Sequence, residues 1–314
     1  MPSFESVNYT IRPNKNIERK LVFEALRVLR SSIPLNGYRY VGLGSLWFVD
    51  FILAHRYLSI DNMVCIEFET EAERVEFNRP YNCIEVLRGI TTDVLPTIDL
   101  ATKPSLIWLD YDSGPEGPIL QDIEHIAGTA KVGTIILFTI NAHKGNLPKT
   151  DADGRDLKRE SALQLIFGNL VPPILPHGSF TADGYPKLLA QMLLAHMDSC
   201  VHRSGRGNKF LPMFNFYYRD GAPMITVGGL IADGLHEHNY RNSGVGKLEW
   251  VTGEKQISIL VPPLTVKEKF TFDRLLPRSM PPNITELGFP LTEEQIVAYH
   301  NYYRHYPVFG EFQV

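Results

Sequence analysis

Apolar residues recur at every third or fourth position from Ile17 to Leu29, at Ile17, Leu21, Val22, Ala25, Val28 and Leu29. That period predicts an amphipathic helix. Four short apolar or β-branched runs follow, Tyr38–Gly42, Met63–Phe68, Cys83–Leu87 and Ser105–Leu109, and a fifth, Gly133–Ile140, is the most continuous. Unbroken rather than alternating apolar runs suit strands covered on both faces, as in a parallel sheet flanked by helices. The intervening segments Ser45–Tyr57, Glu69–Arg79 and Ile119–Ala130 each hold a helix of about three turns. Strand alternating with helix predicts an α/β doubly wound sheet.

After Asn141 the rhythm changes. Arg155–Phe167 and Lys187–Val201 have helical patterns, separated by a proline-rich bridge from Val171 to Pro176. Phe214–Arg219 and Met224–Leu230, joined through Asp220, Gly221, Ala222 and Pro223, predict an antiparallel hairpin. The stretch Ala232–Gln256, rich in Gly, His and Asn, predicts a long surface excursion. Thr265 with Glu268 and Thr292 with Gln295 have capping-box spacing, and Pro277 and Pro307 lie just past where those helices should stop.

Composition narrows the class. With 314 residues, 44% hydrophobic and 21% charged, the chain is a globular protein of one large or two ordinary domains. The 31 Lys and Arg against 35 Asp and Glu leave a net charge of -4, so no global basic field points to nucleic acid. No apolar run approaches the roughly 20 residues of a membrane span. The polar stretch from Met1 to Arg19 has no signal-peptide core. Cys65, Cys83 and Cys200 are too few and too scattered for a disulfide framework or a structural zinc site, which fits a reducing cytoplasm.

In an open α/β sheet, ligands bind outside the carboxyl ends of the strands, beside strand one. There Gly42, Leu43, Gly44, Ser45, Leu46 and Trp47 lead into a helix. Glycines let the backbone turn sharply against a ligand, and Ser45 can cap the helix. A tight turn without a ligand has the same sequence. After strand two stand Glu67 and Glu69, where a carboxylate can accept both ribose hydroxyls or simply pair with Arg74. Asp93 follows strand three, facing an adenine amino group or capping a turn. Asp110, Tyr111 and Asp112 follow strand four, and Asn141, Ala142 and His143 follow strand five. Asp110, Asp112, Asn141 and His143 thus converge beside the glycine loop, where they can take a proton from a hydroxyl or amine, or bind a divalent ion through oxygen.

From Tyr38 to Leu230 this order resembles the class I S-adenosylmethionine-dependent methyltransferases. Tyr40–Ser45 is similar to motif I, Glu67 to the ribose acid and Thr92-Asp93 to the adenine-side acid. Leu106–Asp112 is similar to the segment after strand four in cation-dependent O-methyltransferases, and the hairpin Phe214–Leu230 to the reversed final strands of that fold. The whole chain resembles bacterial proteins labelled as O-methyltransferases, whose methyl acceptor is unspecified. The resemblance implies a Rossmann-like, mostly parallel sheet over residues 38–231, a helical extension over 1–37 and a second extension over 232–314. It implies S-adenosylmethionine as cofactor, with Gly42, Gly44 and Ser45 at the methionine portion, Glu67 at the ribose and Asp93 at the adenine. Asp110 is then the substrate-side acid, and Asp112 and His143 the groups that accept a proton. Two positions depart from the pattern: Tyr40 stands where motif I carries an acid, and Ile140-Asn141 stands where metal-dependent members carry Asp-Asn, leaving a divalent metal one ligand short. Trp47 at the third glycine of G-x-G-x-x-G disfavours a dehydrogenase. A methyltransferase-like module that binds the nucleotide without transferring methyl, as sensor or scaffold, is the alternative.

Other features have bland and functional readings side by side. Arg12, Lys15 and Arg19 form a cationic helix face, solvated in the first instance or open to phosphate or an acidic substrate. The basic segment Arg203–Lys209 is a surface turn or a phosphate clamp. His236 and His238 project to one side of an extended segment, a solvated loop before a metal site. Tyr299, Tyr302, Tyr303, Tyr306 and Phe309 pack the last helix onto the domain or form a homodimer face.

Overall fold

The computed structural model describes residues 12–68 and 72–308. Helix α1 (Pro13–Leu29) precedes β1 (Arg39–Leu43), α2 (Val49–Leu58), β2 (Met63–Glu67), α3 (Ala72–Phe77), β3 (Ile84–Arg88) and α4 (Thr91–Val94). Then come β4 (Ser105–Asp110), α5 (Gly117–Thr129), β5 (Ile135–Asn141), α6 (Arg159–Phe167), α7 (Gly184–Arg203), β6 (Lys209–Arg219) and β7 (Pro223–Ala232). The chain ends through α8 (Gly234–Ser243), β8 (Ile257–Ile259), α9 (Val266–Asp273), α10 (Ile284–Leu287) and α11 (Glu293–Tyr302).

The strands form one sheet in the order β3-β2-β1-β4-β5-β7-β6-β8. Only β7 runs against the others. This is the doubly wound, mostly parallel, Rossmann-like sheet expected, closed by the β6–β7 hairpin and extended by β8.

Side-chain alternation divides the core. Tyr40, Cys65, Trp108 and Leu137 point into one apolar layer with α1, α2 and the C-terminal segment, while Val41, Ile66, Ile107 and Phe138 point into the other with α5 and α7. Both faces are covered, so β2 and β4 show continuous rather than alternating apolar sequence.

Helix α1 starts four residues before its predicted apolar stripe, because Pro13 occupies the first turn, where its missing N–H costs nothing. Arg12 at the N-cap supplies no capping side chain. The caps come from the far side of the chain: Asp220, in the β6–β7 turn, accepts the backbone N–H groups of Asn14 (3.1 Å) and Lys15 (2.7 Å). Asn14 Nδ2 donates to Asp220 and to the Arg219 carbonyl, and its Oδ1 accepts from the Val261 N–H at 2.8 Å.

Several expectations change here. The α2 helix begins at Val49, after Phe48 in a left-handed conformation (φ 47°), so Ser45 is not its cap; the Ser45 hydroxyl accepts from Trp47 N–H instead. His236 and His238 lie on α8 rather than an extended segment, and a helix turns positions two apart to different faces. His236 bonds Asp233, which caps α8, and His238 bonds Asn242. In the basic turn, Arg206 donates to the carbonyls of Ala127 and Ala130, satisfying the C-terminus of α5. Both predicted capping boxes form, and a third, Asn283 with Glu286, starts α10. Tyr299 and Tyr306 are buried against the core, packing α11 onto it. Glu69 and Phe309 lie outside the described residues. Among the described residues no helix is long and apolar enough to cross a membrane.

Asp220→Ala removes two backbone partners from the first turn of α1. It should lower the unfolding free energy by about 1–2 kcal/mol, with Asp220→Asn, which keeps one acceptor oxygen, losing less, as read by urea denaturation.

Candidate functional site

At the carboxyl ends of β1, β2 and β4, on both sides of the point where strand order reverses, lies a cleft of about 670 Å³. That volume falls within the range of small-molecule sites. Gly44 and Glu67 lie on one side; Gly89, Ile90, Thr91 and Thr92 follow β3; Asp110, Tyr111, Asp112 and Ser113 follow β4. A smaller lobe of about 70 Å³ shares Leu43, Gly44, Asp110 and Asp112 with it and is completed by Arg19, Ser45, Phe48, Val49, Asp50 and Phe51.

Gly44 leaves the space that the Glu67 carboxylate occupies. A Cβ placed there would sit 2.2 Å from Glu67 Oε2 and 3.1 Å from Cys65 Sγ, well inside van der Waals contact. The loop after β1 therefore passes directly over the carboxylate that ends β2, with the Gly44 N–H bonded to the Ile66 carbonyl. Glu67 is 7% exposed, and its Oε1 accepts from the Phe68 N–H at 2.8 Å, which fixes the side chain at the cleft floor.

Gly42 has a different task. It lies within β1, does not line the cleft, and leaves space for the Tyr40 ring, which a Cβ would approach to 2.9 Å. Tyr40 itself is buried edge-on against Phe51 at 4.8 Å between centroids. An aromatic residue thus fills the position of the motif I acid, and the space opposite is taken by glycine.

Asp93 is exposed on the first turn of α4 and does not line the cleft. The chain coils into α4 directly after Ile90, so Ile90, Thr91 and Thr92 form that wall instead. His143 is exposed and outside both lobes; its Nδ1 accepts from Gly145 N–H at 3.2 Å, which leaves the proton of the neutral ring on Nε2. The lone pair needed to take a proton is engaged. Asn141 Oδ1 accepts from the His143 N–H and so shapes the same turn. Tyr111 hydroxyl donates to Asp122, and burial beside that carboxylate holds its proton firmly.

Asp110 is where the structure departs furthest from the sequence. Lys15 Nζ lies 2.8 Å from Asp110 Oδ2 and 3.4 Å from Glu18, and 5.0 and 5.3 Å from the centroids of Trp108 and Tyr218. Arg19 Nε lies 2.6 Å from Asp50 Oδ1, and its Nη2 3.9 Å from Asp110. Lys15, Glu18 and Arg19 are all buried. The expected solvated cationic face of α1 is therefore an internal ionic layer pressed onto the end of β4. Burial alone would lower the Lys15 pKa, but the carboxylates of Asp110 and Glu18 outweigh it and hold the ammonium charged. Burial pushes Glu18 up to about 7, with Lys15 restraining the rise.

A sequence signal for this existed. Lys15, Glu18, Arg19, Val22 and Leu26 share one helical stripe, so charged residues occupy core-facing positions of an otherwise apolar pattern.

Groups of three or more His, Cys, Asp or Glu with converging ligand atoms occur among the described residues at His55, Asp61 and Cys83 and at Glu124, His196 and Cys200. Neither includes a cleft residue.

The family model described as "Putative O-methyltransferase" matches residues 7–314. The chain belongs to this family. No curated protein matches it. Similar solved structures include Trm1 from Pyrococcus horikoshii in complex with S-adenosyl-L-methionine, at 13% identity over 76% of this chain and 61% of that one, with a TM-score of 0.47. Human N-acetylserotonin methyltransferase with SAM is similar at 14% identity over 69% of this chain and 57% of its own, TM-score 0.32. Spermidine synthase from Thermotoga maritima is similar at 9% identity over 78% and 68%, TM-score 0.37. The chain spans less than two thirds of the length of the first two.

Two outcomes follow from this geometry. Gly44→Ala should leave the far-ultraviolet circular dichroism intact while displacing Glu67, which is visible as loss of ligand binding in the cleft. Glu18, with its pKa raised from 4.5 to about 7, contributes stability that is complete below pH 4.5 and lost as pH rises through 7. The difference between wild type and Glu18→Gln in urea denaturation should therefore change by about 3 kcal/mol between pH 4 and pH 8.

Proposed function

We propose that this O-methyltransferase family member binds S-adenosylmethionine across the β1–β4 crevice and transfers its methyl group to an oxygen of a small acceptor. The observation that carries the reading is the close passage of Gly44 over the Glu67 carboxylate, with only hydrogen at Cα. The residues present fit an adenosyl group. Glu67 is a buried acceptor for a sugar diol, Ile66, Phe68, Ile90 and Ile119 form apolar walls for a planar base, and Gly44 and Ser45 border the lobe where a tail would lie. When bound, the cofactor supplies a methyl group on a positive sulfur, ready for in-line displacement.

The protein then has to orient the acceptor, exclude water and take up a proton. Asp110 and Asp112 border both lobes and are the acids placed to hold the acceptor hydroxyl. Lys15 Nζ lies against Asp110 at 2.8 Å, so that carboxylate already carries an ion pair. His143, with its lone pair engaged, serves the turn after β5 rather than the proton. Asp93 contributes no side chain to the cleft. Among the described residues, neither group of converging His, Cys, Asp and Glu side chains includes a residue of the cleft.

The same Lys15–Asp110 pair favours a second reading, a nucleotide-binding module that no longer transfers methyl. A cytoplasmic location belongs with either reading, supported by three unbridged cysteines. Residues 1–37 and 232–314 serve in both as extensions that build on a 38–231 core.

Calorimetric titration with S-adenosylmethionine and S-adenosylhomocysteine tests the reading. Binding of both is expected, with Glu67→Gln weakening each about 10-fold or more through loss of charge-assisted hydrogen bonds. Absence of binding to wild-type protein rejects both readings. Binding of both, with Asp112→Asn leaving methyl transfer to every hydroxyl acceptor tried unaffected, rejects the role given to Asp112.

A further inference from the structure

The smaller lobe carries an inference of its own, resting on the reading of the main cleft as an S-adenosylmethionine site. Arg19 enters this lobe from α1 and is 5% exposed. Two of its three nitrogens are engaged, Nε at 2.6 Å and Nη2 at 3.4 Å from the two oxygens of Asp50. The third, Nη1, is buried with no hydrogen-bond partner among the described residues. A buried guanidinium N–H without an acceptor is costly, and the inexpensive remedy is a ligand oxygen. Because the Asp50 fork fixes the plane of the guanidinium, Nη1 is already oriented before any ligand arrives.

The charges around it select the ligand class. Asp50, Asp110 and Asp112 line the same small lobe as Arg19. A phosphate would bring up to two negative charges among three carboxylates with one guanidinium to receive them. An α-amino acid brings one carboxylate and its own ammonium, so each of its charges meets the opposite sign. Lys15 does not compete for this role, since its ammonium sits against Asp110 and Glu18. The lobe, at about 70 Å³, admits a head group of a few heavy atoms and joins the main cleft through Gly44.

We propose that Arg19 is the anchor for the α-carboxylate of the cofactor's amino-acid tail, with the facing carboxylates receiving its α-ammonium. Helix α1 is thereby a wall of the binding site.

The test compares ligands with and without the tail on the full chain. S-adenosylhomocysteine, S-adenosylmethionine, decarboxylated S-adenosylmethionine and 5′-methylthioadenosine are titrated calorimetrically against wild type and Arg19→Lys. In wild type, removing the carboxylate should weaken binding at least tenfold, S-adenosylmethionine against its decarboxylated form. Arg19→Lys should weaken S-adenosylhomocysteine at least tenfold while changing 5′-methylthioadenosine less than twofold. Equal affinity of wild type for the decarboxylated and intact ligands overturns the proposal, even if the variant does not fold. Equal weakening of the tailed and tailless ligands in a folded Arg19→Lys also overturns it, and leaves the adenosyl site standing. Wild type that binds none of the four overturns the proposal together with the reading on which it rests.

Discussion

A lysine ammonium held between a strand-end carboxylate and a helix glutamate, and flanked by Trp108 and Tyr218, is the contact on which the architecture of the site depends. Burying Lys15, Glu18 and Arg19 together is expensive, because each loses its water. The arrangement persists because each charge meets its opposite, Lys15 with Asp110 and Glu18, Arg19 with Asp50. Indole and phenol faces add cation–π attraction to the ammonium. The Lys15–Asp110 pair joins the first turn of α1 to the end of β4.

The cleft itself follows from elementary strand geometry. Chain leaving β1 must turn over the end of β2 before entering α2, and glycine at position 44 lets it do so within contact distance of Glu67. On the other side, the chain leaving β3 coils at once into α4, so the first three residues after Gly89 form a wall and the fourth is turned to solvent. These two local events decide which acids face inward. Glu67 does and Asp93 does not.

Legibility in the sequence divides along the same line. Parallel strands were readable because double burial leaves long apolar runs such as Ser105–Leu109 and Gly133–Ile140, and the hairpin because Asp220–Pro223 is turn chemistry. Gly44 and Glu67 were readable because their position relative to a strand end has one spatial meaning. The ionic layer was not, since spacing shows only that Lys15 and Arg19 share a helix face; whether that face meets water or a carboxylate depends on residues 31 to 95 positions away. Ser45 was misplaced as a cap because nothing local announces the left-handed turn at Phe48. His143 was readable as a strand-end imidazole, while the bond from Gly145 that engages its lone pair is a tertiary detail of the turn.

The Asn14 side chain bonds Arg219 and Asp220 on one hand and Val261 on the other, so two segments more than two hundred positions from it meet on a single amide. Such closure of a long loop cannot reward its entropy until the distant partners exist. During ribosomal synthesis α1 is therefore without these partners until residue 261 has been made. Until then the helix that carries Arg19 into the smaller lobe lacks the contacts that fasten its first turn.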